Sequence, residues 1–247
     1  MANWSDPRSD IAGFGSASAA RSEAFDAGLR KYMLSVYNYM ASGVLLTGVV
    51  AMLFSAGGET SLAAQVFGGS RLLAYGLMFA PLAFVLVLSF GISRLSTVAT
   101  QALFWAFAVV MGMSISWIFL VYTNMSIAQT FFATSAAFAG LSLYGYTTKK
   151  DLSGFGTFLI MGLVGLFVAS LINVFLKSDG LGWAISFVGV LLFAGLTAYD
   201  TQKIKSIYSY VAGTDMMGKS AVMGALNLYL DFINMFMFLL RFMGDRR

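Results

Sequence analysis

Seven stretches of this chain are almost wholly apolar, and its polar and charged residues gather between them. The stretches cover about residues 32–56, 72–92, 101–122, 127–146, 155–176, 181–204 and 220–242. Each is about twenty residues or longer. At ~1.5 Å rise per residue, that length crosses a hydrocarbon layer ~30 Å thick. Lipid offers the backbone no hydrogen-bond partners, so each stretch is predicted to be helical. The pattern therefore predicts an all-α polytopic membrane protein with seven transmembrane helices. Residues 1–28 are polar and read as a mobile N-terminal tail, without the charged-then-apolar-then-small order of a cleavable signal peptide. Residues 29–244 form the transmembrane domain. The segment 205–219 is polar and reads as the connector before the last span. Pro81 lies inside the second span and is expected to kink it.

The last span breaks its own pattern. Asp231 stands about eleven residues, roughly 16 Å, from either end of the seventh apolar stretch, 220–242, near the bilayer midplane. A carboxylate at that depth costs about 2.5–3.5 kcal/mol on insertion scales, so it faces protein, finds a partner or holds a proton. At about 100° per residue, Asn227, Asp231, Asn234 and Arg241 share one narrow stripe, and the other faces carry Leu, Ile, Phe, Met and Tyr. Such a helix packs in a bundle with its stripe inward, here read as a polar pore lining.

Composition narrows the chemistry. Charged residues make up 11% and hydrophobic residues 59%, against about 25% charged in a soluble domain. The sequence has no His and no Cys, which excludes imidazole catalysis, thiolate nucleophiles and Cys- or His-ligated metals. The basic residues sit singly or in pairs between spans, which marks topology rather than nucleic-acid binding. Outside the tail 1–28, eight Lys and Arg (30, 31, 94, 149, 150, 203, 205, 219) fall on the side of the N-terminus and five (71, 177, 241, 246, 247) on the other. This excess favours a cytoplasmic N-terminus. Small residues recur four apart at Gly112 and Ser116, Ala136 and Gly140, and Gly165 and Ala169, and read as helix-packing contacts.

A second carboxylate, Asp200, lies near the N-terminal-side end of the sixth span in Thr197-Ala198-Tyr199-Asp200-Thr201-Gln202-Lys203-Ile204. The sixth and seventh spans are antiparallel neighbours, so the two aspartates can share a site if the difference in depth is closed. Two carboxylates in a low-dielectric site do not both ionise cheaply, so a shared proton makes the pair a proton sensor. With Asn227, Asn234 and backbone carbonyls, the pair also offers oxygens to a hard cation. Ca²⁺ prefers about six to eight of them, so this inventory suits a transient stop rather than a closed site. Arg94, on the side of Asp200, is placed to latch onto it when ionised. No resident cofactor is expected.

The run Phe193-Ala194-Gly195-Leu196-Thr197-Ala198-Tyr199-Asp200-Thr201-Gln202-Lys203-Ile204, with Ala225-Leu226-Asn227-Leu228-Tyr229-Leu230-Asp231-Phe232-Ile233-Asn234, resembles the Bax inhibitor-1 (transmembrane Bax inhibitor motif) family. Lys149-Lys150-Asp151-Leu152 matches as well, and the resemblance spans roughly residues 29–244. It implies seven helices with the last in the centre, and a pH-dependent Ca²⁺ leak gated by the Asp200–Asp231 pair. It also implies that Arg94 is a gating arginine. In some bacterial members the arginine matching Arg241 pairs with a glutamate in the second span; the second span here has no acidic residue. Other bacterial relatives modulate a membrane protease, which gives the alternative of a non-conducting partner protein.

Two further readings fit less well. A proton-coupled transporter needs only a buried Asp. An intramembrane aspartyl protease would match Tyr199-Asp200, but Asp231 follows Leu228-Tyr229-Leu230 instead of Gly-x-Gly, and the only prolines are Pro7 and Pro81. The expectation is thus a non-enzymatic inner-membrane protein whose partners are the lipid bilayer, Ca²⁺ and protons.

Overall fold

The apolar stretches fold as seven helices long and apolar enough to cross a membrane. A computed structural model describes the backbone of residues 8–247 and the side chains from residue 23 onward. Helix α1 (Arg8–Phe54) leads through a 3-10 turn at Gly58–Thr60 into the short α2 (Leu62–Gly69). Then come α3 (Arg71–Gly91), α4 (Thr97–Ile115), the single turn α5 (Ile118–Val121) and α6 (Asn124–Thr147). Helices α7 (Ser153–Leu176), α8 (Asp179–Val211) and α9 (Met216–Met243) complete the chain. Five helix starts are fixed by hydroxyls: Ser61, Ser70, Ser96, Thr123 and Ser178 each accept a hydrogen bond from a first-turn amide. These caps satisfy donors that the helix cannot bond internally.

The polar stripe decides which helix is inside. In α9, 61% of the most apolar window is buried, against 11% in both α3 and α7. Helices α1, α4, α6 and α8 surround α9, α3 leans on α4, and α7 leans on α8. The outer helices show lipid-facing side chains such as Leu72, Phe90, Met161 and Phe175. An apolar exterior around a more polar centre is the expected order when the solvent is hydrocarbon.

Two boundaries differ from the sequence expectation. The backbone is helical from Arg8, so much of the expected N-terminal tail continues α1, while residues 1–7 lie outside the described residues. The polar connector 205–219 is almost entirely helical: α8 runs on to Val211, and α9 already begins at Met216. Its polarity reflects exit from the membrane, not loss of helix. One face of the extension still finds apolar cover. Tyr208 is buried against Phe25 and Tyr32 of α1, with ring centroids 5.0 and 5.4 Å away, and the Tyr32 hydroxyl bonds Ser220 at 2.9 Å. Within the bundle, α3 continues through the buried Pro81.

Close packing follows backbone approach rather than the four-residue spacing alone. Gly112 does meet α1, where a Cβ would lie 2.6 Å from the Thr47 carbonyl, whereas Gly140 and Gly165 have open space beside them. Among the described residues the tightest approach to backbone is Gly145 of α6 against Ala198 in α8, two residues before Asp200. A side chain there would force α6 and α8 apart. Gly145→Val is expected to cost about 1–3 kcal/mol, measured by thermal unfolding in detergent, because the core must move to accept it. Gly140→Val, on an open face, serves as the control and is expected to leave the midpoint nearly unchanged.

Candidate ion and proton site

Helix length brings the two aspartates together. Asp200 lies eleven residues before the end of α8 at Val211, and Asp231 fifteen residues after the start of α9 at Met216. The tight connection between these antiparallel helices leaves a difference of four residues, about 6 Å of rise. Two side chains and a modest tilt close that distance. The carboxyls of Asp200 and Asp231 adjoin, within reach of a hydrogen bond when one of them carries a proton. Asp231 is buried, and among the described residues its Oδ2 has no hydrogen-bond donor. Asp200 is half-buried.

Ionised carboxylates have no proton to give each other, so a hydrogen bond between them would need one proton on one of the two acids. Lys203, one turn further along α8, is the cation acting on Asp200, and the charge acting on Asp231 is Asp200 itself. Among the described residues no group of three or more acidic side chains is present that would hold a metal ion.

Hydroxyl networks that the sequence did not announce hold the helices on either side. Asp231 faces α8, and Tyr229, two residues earlier, points the opposite way. Its hydroxyl lies 2.7 Å from Thr47 Oγ1, which donates to the Ala108 carbonyl at 2.8 Å. This ties α9 to α1 and α4 in a fully buried position. Next to Asp200, Thr201 lies 3.0 Å from the Ser142 hydroxyl, which lies 2.6 Å from the Tyr37 hydroxyl. That chain ties α8 to α6 and α1. Tyr229 and Thr201 were visible as hydroxyls beside the two aspartates, and a hydroxyl in an apolar span has to find a partner. Nothing in the local sequence marked Tyr37, Thr47 or Ser142.

The rest of the polar set lies elsewhere. Asn227, one turn before Asp231, is half-buried. The Asn234 amide donates to the Leu230 carbonyl of its own helix at 2.8 Å. Arg241 is exposed at the far end of α9, its guanidinium over Gly182 of α8. Arg94 is exposed, three residues past the end of α3 at Gly91.

On the N-terminal side, a cavity of about 310 Å³ is lined by Lys149, Lys150, Asp151, Tyr199, Gln202 and Lys203, beside Asp200. Gln202 fixes its rim by donating to the Lys150 carbonyl and accepting from the Leu152 amide, both at 2.8 Å. Asp151 is outside the membrane, and hydrogen bonds from Ser153 hold its carboxyl below the usual carboxylate range. On the opposite side a larger apolar cavity reaches Phe232 and Ile233, the two residues after Asp231. Neither of these two cavities is lined by Asp200 or Asp231, and the pair lies at a level between them.

The family described as inhibitor of apoptosis-promoting Bax1 matches residues 29–247 of this chain. The chain belongs to the Bax inhibitor-1 family. It is a multi-pass integral membrane protein. An uncharacterized protein of Rickettsia prowazekii is 47% identical over 231 residues, covering 92% of this chain and 95% of the relative. The inner membrane protein YbhL of Escherichia coli K12 is 47% identical over 223 residues, covering 90% of this chain and 94% of its own. An uncharacterized protein of Caulobacter vibrioides is 46% identical over 229 residues, covering 90% and 91%. In this Bax inhibitor-1 family chain the resemblance drawn from the two Asp-containing motifs thus extends over almost the whole length.

The Thr47–Tyr229 hydrogen bond generates a direct test. Tyr229→Phe leaves Thr47 bonded to Ala108 and is expected to cost about 1 kcal/mol. Thr47→Val strands a buried phenol and is expected to cost about 1–3 kcal/mol. In the double variant the two losses are not additive, because both remove the same bond. Thermal or denaturant unfolding of the four proteins measures this.

Proposed function

We propose that this chain is a pH-sensitive Ca²⁺ leak of the bacterial inner membrane, with its N-terminus in the cytoplasm and Asp200 and Asp231 as its gate. The observation that carries this reading is the contact between two intramembrane carboxyls at the packed centre of the bundle, one of them with no other partner. Ionisable groups at membrane depth are expensive and mark ion or proton pathways. The inner-membrane location follows the relative YbhL. The N-terminal orientation follows the excess of Lys and Arg on that side.

In this reading the packed arrangement is the closed state. A proton between the carboxyls holds α8 against α9 at the level of the pair. When it leaves, two negative charges face each other in a low dielectric, and only a cation or separation relieves them. Ca²⁺ and the proton therefore compete for the same oxygens. Two carboxylates, Asn227 and a few backbone carbonyls fall short of the six to eight oxygens that hold Ca²⁺ tightly. The ion is thus a passing substrate rather than a resident ligand. Arg94, one turn outside the membrane on the same side as Asp200, is the candidate counter-charge for the ionised pair. No chemical step is assigned to the aspartates: the chain acts as a conduit, not as an enzyme.

The test is Ca²⁺ entry into liposomes that hold a Ca²⁺ dye, over roughly pH 5 to 9. Wild type, Asp200→Asn and Asp231→Asn are compared. The wild-type leak is expected to titrate, with a midpoint that moves to lower pH as Ca²⁺ rises, because a cation that binds the ionised form displaces protons. Each Asn variant is expected to shift that titration or lose it. Wild-type liposomes no leakier than empty ones at every pH would overturn the leak. A non-conducting modulator of a membrane protease would then be the leading function.

A further inference from the structure

The larger cavity has no place in the account of the aspartates. It holds about 610 Å³ between α1, α5, α6 and α9 and is open along its side, where the exposed Leu45, Met52 and Phe132 line it. Its mouth, the polar end, is formed by Gly57, Gly58, Asn124 and Arg247 at the ends of these helices on the side away from the N-terminus. Its floor is at Val44, ten residues before the end of α1 at Phe54, so it is about 15 Å deep. That is half of a ~30 Å hydrocarbon layer, the depth of one leaflet. The wall is apolar almost throughout, with Phe131, Phe132, Phe232 and Phe236 along one side. A slot lined this way does not hold water and gives a hydrated cation no oxygens.

The mouth has the opposite character, and the chain builds it deliberately. The segment after α9 folds back across the α5–α6 link. The Thr123 amide donates to the Asp245 carbonyl at 3.1 Å, and the Arg247 amide to the Val121 carbonyl at 2.9 Å. The Asp245 amide donates to the Ser126 hydroxyl at 2.9 Å, and the Arg246 guanidinium sits over the Tyr122 ring at 6.0 Å. These bonds hold Arg247 on the rim, where its Nη2 reaches Asn124 Oδ1 at 3.0 Å. No Asp or Glu side chain lines the cavity. A fixed guanidinium at headgroup level, above an apolar slot one leaflet deep, matches an anionic head on an acyl chain.

We propose that this cavity binds one acyl chain of an anionic phospholipid from the leaflet opposite the N-terminus, with Arg247 pairing to its phosphate. Guanidinium forms two parallel charge-assisted hydrogen bonds to a phosphate, which Lys or a neutral amide does not reproduce. A zwitterionic lipid has the same chains and the same phosphate but adds a choline cation, which a guanidinium at the rim repels, so the headgroup preference reports on the charge of Arg247 and the retention of any lipid reports on the slot.

The full chain is purified from bilayers of equal phosphatidylglycerol and phosphatidylcholine, and retained lipid is measured by native mass spectrometry. Wild type is expected to keep one lipid, selectively phosphatidylglycerol. Arg247→Gln is expected to lose about tenfold of that selectivity while still keeping lipid, the scale of one charge-assisted contact. Gly48→Leu projects a side chain into the slot from a position with open space around it, and is expected to lose both lipids. Lys177→Gln, a cation on the same side but outside the cavity, is expected to change nothing. Unchanged helicity and elution of each variant establish that it folds. Unselective retention by wild type, or Arg247→Gln matching wild type, overturns the headgroup contact. Gly48→Leu keeping its lipid overturns the slot.

Discussion

A carboxyl group in a layer without water is the constraint on which this structure depends. Asp231 is too deep to reach an aqueous surface, so the helix that carries it has to be inside the bundle. The rest of α9 is arranged to make that possible. Tyr229 turns one face toward α1 and α4 through Thr47, while Asp231 turns the other toward α8 and Asp200. Two polar contacts on opposite faces fix the rotation of α9 about its own axis. Removing lipid contact from α9 then pushes the burden outward, and α3 and α7 become the helices that face hydrocarbon.

Most of the frame was legible because hydrocarbon imposes few solutions. Length and polarity marked seven spans, and a lone Asp in the last one marked the inward helix. The meeting of Asp200 with Asp231 was harder to see. Polarity in 205–219 resembles a loop, yet α8 stays helical to Val211, and this extension brings the two depths within four residues. Backbone hydrogen bonding does not depend on side-chain polarity, so hydropathy locates the membrane surface rather than the helix end. The same limit hid Gly145, whose role comes from its neighbour Ala198 and not from a repeat. Ser142 and Tyr37 became visible only when three helices placed their hydroxyls in a row.

The two ends of the molecule are chemically unlike. Toward the N-terminal side, lysines, Gln202 and Asp151 line a polar recess next to Asp200. Toward the other side, an apolar slot ends under Arg247. An ion finds partners in the first and none in the second, while an acyl chain finds the reverse. The aspartate pair lies between them, and the tight packing of α6 on α8 at Gly145 stands two residues from it. Movement at the pair is therefore coupled to helix packing, and a lipid beside Phe232 and Ile233 would touch the same helix one residue from Asp231.

The central claim is that the two carboxyls hold a proton between them. Infrared difference spectroscopy in lipid at neutral pH measures this directly, through the carbonyl stretch of a protonated carboxylic acid shielded from exchange. This band is expected in wild type, shifted in Asp200→Asn and lost in Asp231→Asn, because burial still disfavours a charge on Asp231 when its neighbour is neutral. A wild-type spectrum with only ionised carboxylate bands, or a band that survives in both variants, would contradict it.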